Sequence, residues 1–380
     1  MPKIGTYRSQ GSYKAFIPNK INVELKLNDP KIPLLLADAM RYLGELNAYS
    51  QLVPDINFFI KMYVAKEATT SSRIEGTKTN IEDAIRAQDD ISIEKRDDWE
   101  EVQNYIKAIN YAIKSLERLP LSLRVITETH KILLSGVRGY ARAPGEIRKT
   151  QNWIGGSDIN SAAFIPPPAQ DVPELLSDLE KYWHNDDLST HQLIKSALIH
   201  YQFETIHPFL DGNGRIGRLL ITLQLVDAKI LTVPALYISD YFESNRANYY
   251  DALSRNRTSG DLEHWVIFFL TGVVETAKDA KETMRKIVKL REDYLDRINK
   301  GIGIRRQANA KKLLPHLFAQ PIITVAEAQK LLSSSNQAAA DLITDFQTIG
   351  LLREMTGLRT RRIFALDEYL KLFNKGEKRG

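Results

Sequence analysis

The chain has 380 residues and a mass of 43.3 kDa, a length that accommodates two or three domains of about 100–200 residues each. Hydrophobic residues make up 43% and charged residues 26%, which excludes a disordered, collagen-like or coiled-coil chain, and the absence of cysteine excludes disulfide frameworks, thiolate zinc sites and thiol catalysis. The net charge of +5 is concentrated near the C-terminus, where residues 301–380 carry 13 Lys/Arg against 7 Asp/Glu. A basic terminal region indicates either a polyanionic or acidic partner, or simply a solvated basic surface.

The sequence contains no segment that resembles a signal peptide or a membrane span. The N-terminal residues lack an apolar core. The longest apolar stretch, 266–274, is interrupted by Thr271 and Gly272 and is far shorter than the roughly 20 residues of a spanning helix. We therefore expect a cytoplasmic protein that does not enter a membrane.

Apolar residues recur at helical spacing along most of the chain. Between 99 and 116, Val102, Tyr105, Ile106 and Ile109 belong to one stripe with the i, i+3, i+4, i+7 spacing of an amphipathic helix. The same periodicity predicts helices over about 31–48, 122–136, 172–183, 189–206, 215–228, 262–298, 306–319, 324–332 and 335–349. A mainly α fold is the expectation.

Strand signals are sparse and fall in two places. The pair Gly155-Gly156 is a hairpin signal, so 151–168 is predicted to turn there and to return over 162–165. Near the C-terminus, 351–354 and 362–366 predict a second hairpin that turns near Gly357.

The last 80 residues are predicted to form a separate domain. Gly301 and Gly303 interrupt a charged helical stretch and indicate a boundary. Three helices followed by a hairpin that carries Arg359, Arg361 and Arg362 are typical of a winged helix-turn-helix, which binds DNA. The alternative is a dimerisation or docking module of the same shape.

One segment concentrates chemically useful residues: His207-Pro208-Phe209-Leu210-Asp211-Gly212-Asn213-Gly214-Arg215-Ile216-Gly217-Arg218. It contains G-x-G-x-x-G over 212–217. A dinucleotide site, however, requires a preceding apolar strand and a βαβ unit. Here a helical pattern and a His-Pro step come first, so we reject a Rossmann site.

The same segment is suited to bind phosphate. Gly212 and Gly214 allow a tight turn that presents N–H groups to an anion, directly before a predicted helix whose N-terminus favours negative charge. The two arginines of the segment lie three residues apart and can fork onto phosphate oxygens. Asp211 is a hard oxygen ligand suited to Mg²⁺, and His207 can accept a hydroxyl proton near neutral pH.

These residues match the Fic family signature, H-P-F-x-x-G-N-G-R-x-x-R, at every fixed position, so the chain resembles a Fic protein. Fic proteins are mostly protein adenylyltransferases, which move AMP from ATP to a Ser, Thr or Tyr hydroxyl of a target protein and release pyrophosphate. The resemblance implies a Fic-type helical bundle that uses ATP and Mg²⁺. Gly214 favours AMP transfer, because the related Doc phosphotransferases carry Lys at this position.

The resemblance also implies a role for each motif residue. His207 is implied to be the base for the target hydroxyl and Asp211 to hold Mg²⁺. Asn213 and the backbone of the two glycines are implied to bind the α- and β-phosphates, while Arg215 and Arg218 hold the β- and γ-phosphates. The expected ATP-binding set is His207, Pro208, Phe209, Leu210, Asp211, Gly212, Asn213, Gly214, Arg215 and Arg218, with Asn245 from the region after the motif.

An upstream segment resembles the inhibitory motif of the family, [S/T]-x-x-x-E-[G/N]. Ser71, Glu75 and Gly76 occupy its fixed positions, and Ser71 and Glu75 are i, i+4 on one helix face. The resemblance implies that Glu75 pairs with Arg218 and keeps it from the γ-phosphate, so that ATP binds in a non-productive pose. The alternative is a surface glutamate at a helix end.

The stretch 151–168 resembles the family's flap, a hairpin that registers the target chain by β-strand addition. Trp153, Ile154 and Phe164 are interpreted either as clamp residues for the target or as core packing. Asn245 is the predicted nucleotide contact of the adenine pocket. The other six histidines show no metal-binding spacing and are interpreted as structural: His130, His184, His191, His200, His264 and His316.

The resemblance divides the chain into an N-terminal helical region with the inhibitory motif (1–95), a Fic catalytic core (96–275), a linker helix (276–300) and a winged-helix-like domain (301–380). The expected partners are a target protein or the chain itself, and DNA through the last domain; a homodimer is also compatible with the sequence. Two alternatives stay open. The enzyme transfers another phosphate-containing group, such as phosphocholine, or removes AMP; or the chain acts mainly as a DNA-binding regulator.

Overall fold

The computed structural model describes residues 4–53, 56–86, 88, 91–136, 142–357 and 362–373. Its helices are α1 (Lys31–Leu52), α2 (Ile56–Ile74), α3 (Ile81–Ala84), α4 (Arg96–Leu116), α5 (Leu123–Leu133), α6 (Val172–Trp183), α7 (Gln192–Ile206), α8 (Asn213–Asp227), α9 (Ser239–Ser244), α10 (Arg246–Ser259), α11 (Leu262–Gly301), α12 (Ile304–Ala319), α13 (Val325–Leu332), α14 (Asn336–Thr348) and α15 (Asp367–Lys371). The strands are β1 (Gly5–Ser9), β2 (Lys14–Pro18), β3 (Ile322–Thr324), β4 (Arg353–Glu354) and β5 (Ile363–Ala365). The mainly α prediction is confirmed.

Most helices lie where the apolar periodicity predicts them. The prediction 172–183 coincides with α6, and 262–298 lies within α11. The short helices α9 and α10 were not predicted. The buried face of α10 contains only Tyr249, Ala252, Leu253 and Asn256, which is too few apolar positions to produce a clear stripe.

The centre of the fold is the antiparallel pair α7 and α8. Every residue of α7 from 193 to 206 is buried, so this helix is surrounded by protein on all sides. α8 packs against α7 and also against α2, α4 and α5. The loop 207–212 connects the two central helices, and it contains the first half of the phosphate-site segment.

The segment predicted as a linker helix, 276–300, is part of the packed core. It belongs to α11, which continues without a break from 262 to 301 and packs along α1. Its buried side chains include Ala280, Met284, Tyr294 and Ile298. The charged residues that suggested a linker occupy its exposed face, because an amphipathic helix can carry many charges and still bury a stripe.

The C-terminal region combines α12, α13 and α14 with an antiparallel three-stranded sheet in the order β3-β5-β4. The strands β4 and β5 lie close to the predicted second hairpin. Arg359 and Arg361 lie outside the described residues. The region packs against α2, where the Phe373 ring lies 5.7 Å from that of Tyr63 and 6.4 Å from that of Phe59.

An N-terminal hairpin was not predicted. β1 and β2 pair antiparallel from Gly5 opposite Pro18 to Ser9 opposite Lys14. The hairpin contacts the flap stretch, since Phe16 N donates to Ile165 O at 3.0 Å. Within the described residues, no helix has the length and apolar character that crossing a bilayer would require.

Candidate active site

His207 directly follows the last residue of α7. Its backbone is left-handed, with φ 50° and ψ 61°, and its N–H still donates to Phe203 O at 2.9 Å. A residue in this conformation ends a helix and turns the chain sharply. The turn sends 208–212 back toward the start of α8, where Glu75, Asp211 and Arg215 line a cleft.

The loop that follows is held by Asn213 and His130. The Asn213 amide accepts from Phe209 N at 2.8 Å and donates to Phe209 O at 2.9 Å. The His130 ring stacks on Phe209 at 3.7 Å, and its Nε2 bonds to Asp211 O at 2.9 Å. Asn213 and Phe209 were predicted to bind ATP, but both side chains are buried in the loop scaffold, and the N–H and carbonyl of Phe209 are bonded there as well.

The start of α8 is the predicted anion site. Gly212 is the N-cap residue with φ 74°, and the N–H groups of the first helical turn have no partner within the helix. Backbone N–H groups and the positive end of the helix dipole favour a phosphate at this position.

Arg218 is held by the predicted inhibitory motif. Its Nε donates to Ser71 Oγ at 2.8 Å, and its Nη2 donates to Ser71 O at 3.0 Å and to Glu75 Oε1 at 2.8 Å. The Arg218 side chain is 1% exposed, whereas that of Glu75 is 40% exposed toward the cleft. Burial raises the pKa of Glu75, but the adjacent Arg218 outweighs it and holds that pKa below its usual value.

Gly214 makes room for this ion pair. A Cβ at this position would overlap Glu75 Oε1 and would lie 2.9 Å from Arg218 Nη1. The same glycine was predicted to let the backbone approach a phosphate, and a phosphate at that position would meet the Glu75 carboxylate.

Arg215 is also paired with a carboxylate. Its Nη1 lies 2.5 Å from Glu101 Oε1 and its Nη2 lies 3.6 Å from Asp211 Oδ1. Tyr105, one turn after Glu101 on α4, donates its hydroxyl to Arg215 O at 2.8 Å. Sequence reasoning missed Glu101 and Tyr105, because nothing local links α4 to a motif more than a hundred residues away.

Comparison with known proteins agrees with this geometry. Residues 34–114 match the Fic/DOC family N-terminal domain, and residues 120–225 match the Fic/DOC family domain. The chain belongs to the Fic family. All residues of the central loop and of the inhibitory motif lie within these two matches.

Curated Fic relatives include two Drosophila proteins named "Protein adenylyltransferase Fic". The protein from Drosophila grimshawi is 30% identical over 235 residues, which is 61% of this chain and 44% of the relative. The protein from Drosophila erecta is 28% identical over 234 residues, which is 61% of this chain and 43% of the relative. The matched stretch therefore spans less than half of these relatives.

Solved Fic structures share the fold. A Fic family protein from Desulfovibrio desulfuricans aligns with a TM-score of 0.58 at 20% identity, covering 90% of this chain and 98% of that one. Fic-1 from C. elegans aligns with a TM-score of 0.50 at 20% identity, covering 67% and 73%. At this identity the likeness concerns the fold alone.

The charge state of His207 suits a base. Burial lowers its pKa to about 4, helped by the positive charges of Arg148 and Arg257, while Glu75 opposes the shift. The imidazole is therefore neutral at physiological pH. Within the described part of the chain, its Nδ1 has no hydrogen-bond partner.

Asp211 fits the predicted magnesium ligand of a Fic protein. Its side chain is 46% exposed, and one oxygen accepts from Gly212 N at 2.6 Å, which fixes the carboxylate at the entrance of the anion site. Mg²⁺ in phosphate sites takes one or two carboxylates together with phosphate oxygens and water. Among the described residues, no group of three or more acidic or histidine side chains forms a separate metal cage.

The flap of this Fic protein is reduced to a single bridge. Ile154 N donates to Phe164 O at 2.9 Å, and Phe164 N donates back at 3.1 Å. Phe164 is buried, and the Arg257 guanidinium lies 3.7 Å from the centre of its ring, which favours the packing interpretation. Trp153 is 41% exposed, which leaves it accessible to a target chain.

Asn245 lies apart from the motif. Its amide donates to Tyr241 O at 3.0 Å, and it lines a cavity between α2, α9 and α11 whose lining includes no residue of 207–218. Burial, followed by the charge of Glu75, raises the pKa of Tyr250. Tyr249 is buried, and its hydroxyl lies 2.9 Å from His200 Nε2.

Glu204 is a further residue that the sequence reasoning missed. It lies on α7 beside α8, so close that a Cβ on Gly217 would overlap its carboxylate. Burial raises its pKa to about 7, although Arg218 opposes this, and within the described residues its Oε1 has no hydrogen-bond partner. Gly217 therefore permits a close approach of the two central helices.

Proposed function

We propose that this Fic protein is a protein adenylyltransferase that moves AMP from ATP to a hydroxyl of a target protein or of itself. The observation that carries the proposal is the convergence of a neutral, buried His207 with the N-terminus of α8 and the two motif arginines. The names of the curated relatives support the same reaction.

The chemistry is an in-line displacement at the α-phosphorus of ATP. The hydroxyl oxygen of the target attacks, the bond between the α-phosphorus and the bridging oxygen breaks, and pyrophosphate leaves with the electron pair. His207 accepts the hydroxyl proton, since its imidazole is neutral at the working pH. The α8 N–H groups and Arg215 stabilise negative charge on the phosphates. Mg²⁺ held by Asp211 would supply further charge neutralisation when bound.

The Glu75–Arg218 pair restrains this activity. One guanidinium cannot serve a carboxylate and a γ-phosphate at the same time. ATP must therefore bind without Arg218 or displace Glu75. We propose that the first occurs in the resting protein and leaves the α-phosphorus badly aligned for attack.

The test is label transfer from ATP labelled at either the α- or the γ-phosphorus. The proteins are the parent, Glu75→Gly, and Glu75→Gly combined with His207→Ala, each with Mg²⁺ and with lysate as the target. Label from the α-position alone, strongest in Glu75→Gly and absent from the double variant, is expected. Label from the γ-position would indicate a phosphotransferase. No label at all would overturn ATP as the donor and favour another phosphate-containing group or the removal of AMP.

We infer DNA binding through 301–380 as a second candidate function, because helices α13 and α14 followed by the β4–β5 wing match a winged helix-turn-helix. Part of the basic surface is internally neutralised, since Arg353 pairs with Asp367 at 2.8 Å and Arg362 with Glu354 at 3.3 Å. Binding to duplex DNA should therefore be weak, and its affinity should fall as the salt concentration rises. An absence of binding at low salt would remove this candidate.

A further inference from the structure

Arg148 is a buried arginine outside the Fic motif whose side chain contacts the end of α7. It lies just before the flap and is 3% exposed. Its Nε donates to His207 O at 2.9 Å, and its Nη2 donates to Ile206 O at 3.2 Å. Its Nη2 also donates to Pro167 O and its Nη1 to Thr150 O, so one guanidinium links the central helix to both sides of the flap stretch.

Further hydrogen bonds to main-chain carbonyls reinforce this link. Arg148 N donates to Pro208 O at 2.9 Å, and the Asn152 amide donates to His207 O at 3.2 Å and to Phe209 O at 2.8 Å. Arg148 and Asn152 thus donate hydrogen bonds to all four carbonyls of residues 206–209. The last carbonyls of a helix have no partners within the helix, and leaving them buried and unbonded is costly.

The contact fixes an unfavourable backbone conformation. His207 is left-handed, a conformation that is unfavourable for a non-glycine residue and persists only where the surroundings determine it. Arg148 and Asn152 bond the carbonyl of this same residue. The backbone of His207 sets the direction of its Cα–Cβ bond, so the two side chains fix the point from which the imidazole extends.

The electrostatic environment of the imidazole includes charges from several elements. Arg148 and Arg257 of α10 disfavour its protonated form, whereas Glu75, which follows α2, and the backbone of Glu204 favour it. Arg148 itself stays charged, since burial lowers its pKa only to about 10. A lysine would keep this charge, but it lacks the planar fork that reaches several carbonyls at once.

We propose that Arg148, assisted by Asn152, is a positioning residue for adenylyl transfer, which holds the left-handed backbone of His207 so that the imidazole meets the target hydroxyl. The proposal rests on the proposed function. Arg148 lies outside both Fic sequence signatures and would join the residues that determine the rate of AMP transfer.

The test compares Arg148→Lys, Arg148→Gln and Asn152→Ala, each in the Glu75→Gly protein. The steady-state constants for ATP are measured against pH, and ATP binding and the thermal midpoint are recorded for each variant. Both Arg148 variants are expected to lose roughly 10–100-fold in kcat, because a misplaced base costs about two orders of magnitude, while KM for ATP stays within about threefold. The exposed Arg124→Gln on α5 is the matched control and should leave kcat unchanged.

The pH dependence separates the charge of Arg148 from the geometry of its hydrogen bonds. In Arg148→Gln the acid limb of kcat/KM should move to higher pH, because a positive charge beside His207 is removed. In Arg148→Lys the limb should stay in place while kcat remains low. A merely structural role would lower the amount of folded enzyme in both variants and would leave kcat per folded molecule at the value of the Glu75→Gly protein.

A kcat for folded Arg148→Lys and Arg148→Gln within twofold of the Glu75→Gly protein would overturn the proposal. If neither Arg148 variant folds, Asn152→Ala decides, and a parent-like kcat in that variant would also overturn it. A failure of the proposed function is distinguishable, since the Glu75→Gly protein would then transfer no AMP before any change at Arg148 or Asn152.

Discussion

The Glu75–Arg218 pair allows the strength of the restraint to be worked out. A hydrogen bond to a charged partner contributes about 1.5–3 kcal/mol. Glu75 is 40% exposed, so solvent screening places the pair at the lower end, about 1.5–2 kcal/mol. Since 1.4 kcal/mol corresponds to a factor of ten, removal of the carboxylate should raise AMP transfer by roughly 10–30-fold.

Two substitutions distinguish charge from shape. Glu75→Gln keeps the length of the side chain, which still fills the space beside Gly214. This variant should therefore release only part of the restraint. Glu75→Gly removes both and should give the full increase. Arg218 remains bonded to Ser71 in either variant, which keeps its position for the γ-phosphate.

The matched control is Glu100→Gln. Glu100 lines the same acidic cleft as Glu75, so its substitution changes the local charge by the same amount without touching Arg218. The assay is the initial rate of incorporation of the α-phosphorus label. The reasoning is refuted if Glu75→Gly transfers AMP at the parent rate, or if Glu100→Gln activates as strongly as Glu75→Gln.

Three further outcomes are expected. His207→Ala should abolish AMP transfer in the Glu75→Gly protein, while ATP binding, measured by calorimetry, stays intact. Normal turnover in this variant would show that His207 is not the base. Because the pKa of Glu75 is lowered in the folded protein, its pair with the arginine stabilises the fold above the usual carboxyl pKa of 4.5, and the stabilisation is lost as the pH falls below that value. The free energy of unfolding, measured with urea, should therefore differ less between the parent and Glu75→Gln at acidic pH. Phe373→Ala should cost about 3–5 kcal/mol in unfolding free energy, since its ring packs against those of Phe59 and Tyr63, and should raise basal transfer; an unchanged basal rate would separate the C-terminal region from the restraint.

The sequence predicted the parts of the site that are contiguous in the chain. The turn at Gly212, the following helix and the spacing of the two arginines are local properties, and short-range patterns describe them well. The family resemblance extended this to Glu75, which lies far away in sequence. Without that resemblance, nothing in the pattern around Ser71 pointed to Arg218.

The parts that were not predicted depend on long-range contacts. Arg148 and Glu101 reach the motif through loops and helices whose packing no local pattern reveals. Asn213 was expected to bind phosphate through its side chain, but its amide holds Phe209, and only the folded loop shows this use. The hairpin β1–β2 carries no strong turn signal, since its turn uses a single Gly11.

Helix α2 connects the C-terminal region to the restraint on the active site. Its first half contacts Phe373 through Phe59 and Tyr63, its last residues hold Arg218, and the ion pair of Arg73 with Glu243 at 2.9 Å fixes that end to α9. A helix of 19 residues is about 28 Å long and moves nearly as a rigid body. A ligand that displaces the C-terminal region should therefore shift Glu75 as well. By thermodynamic linkage, a nucleotide that displaces Glu75 must change the affinity of the C-terminal region for that ligand by the same factor.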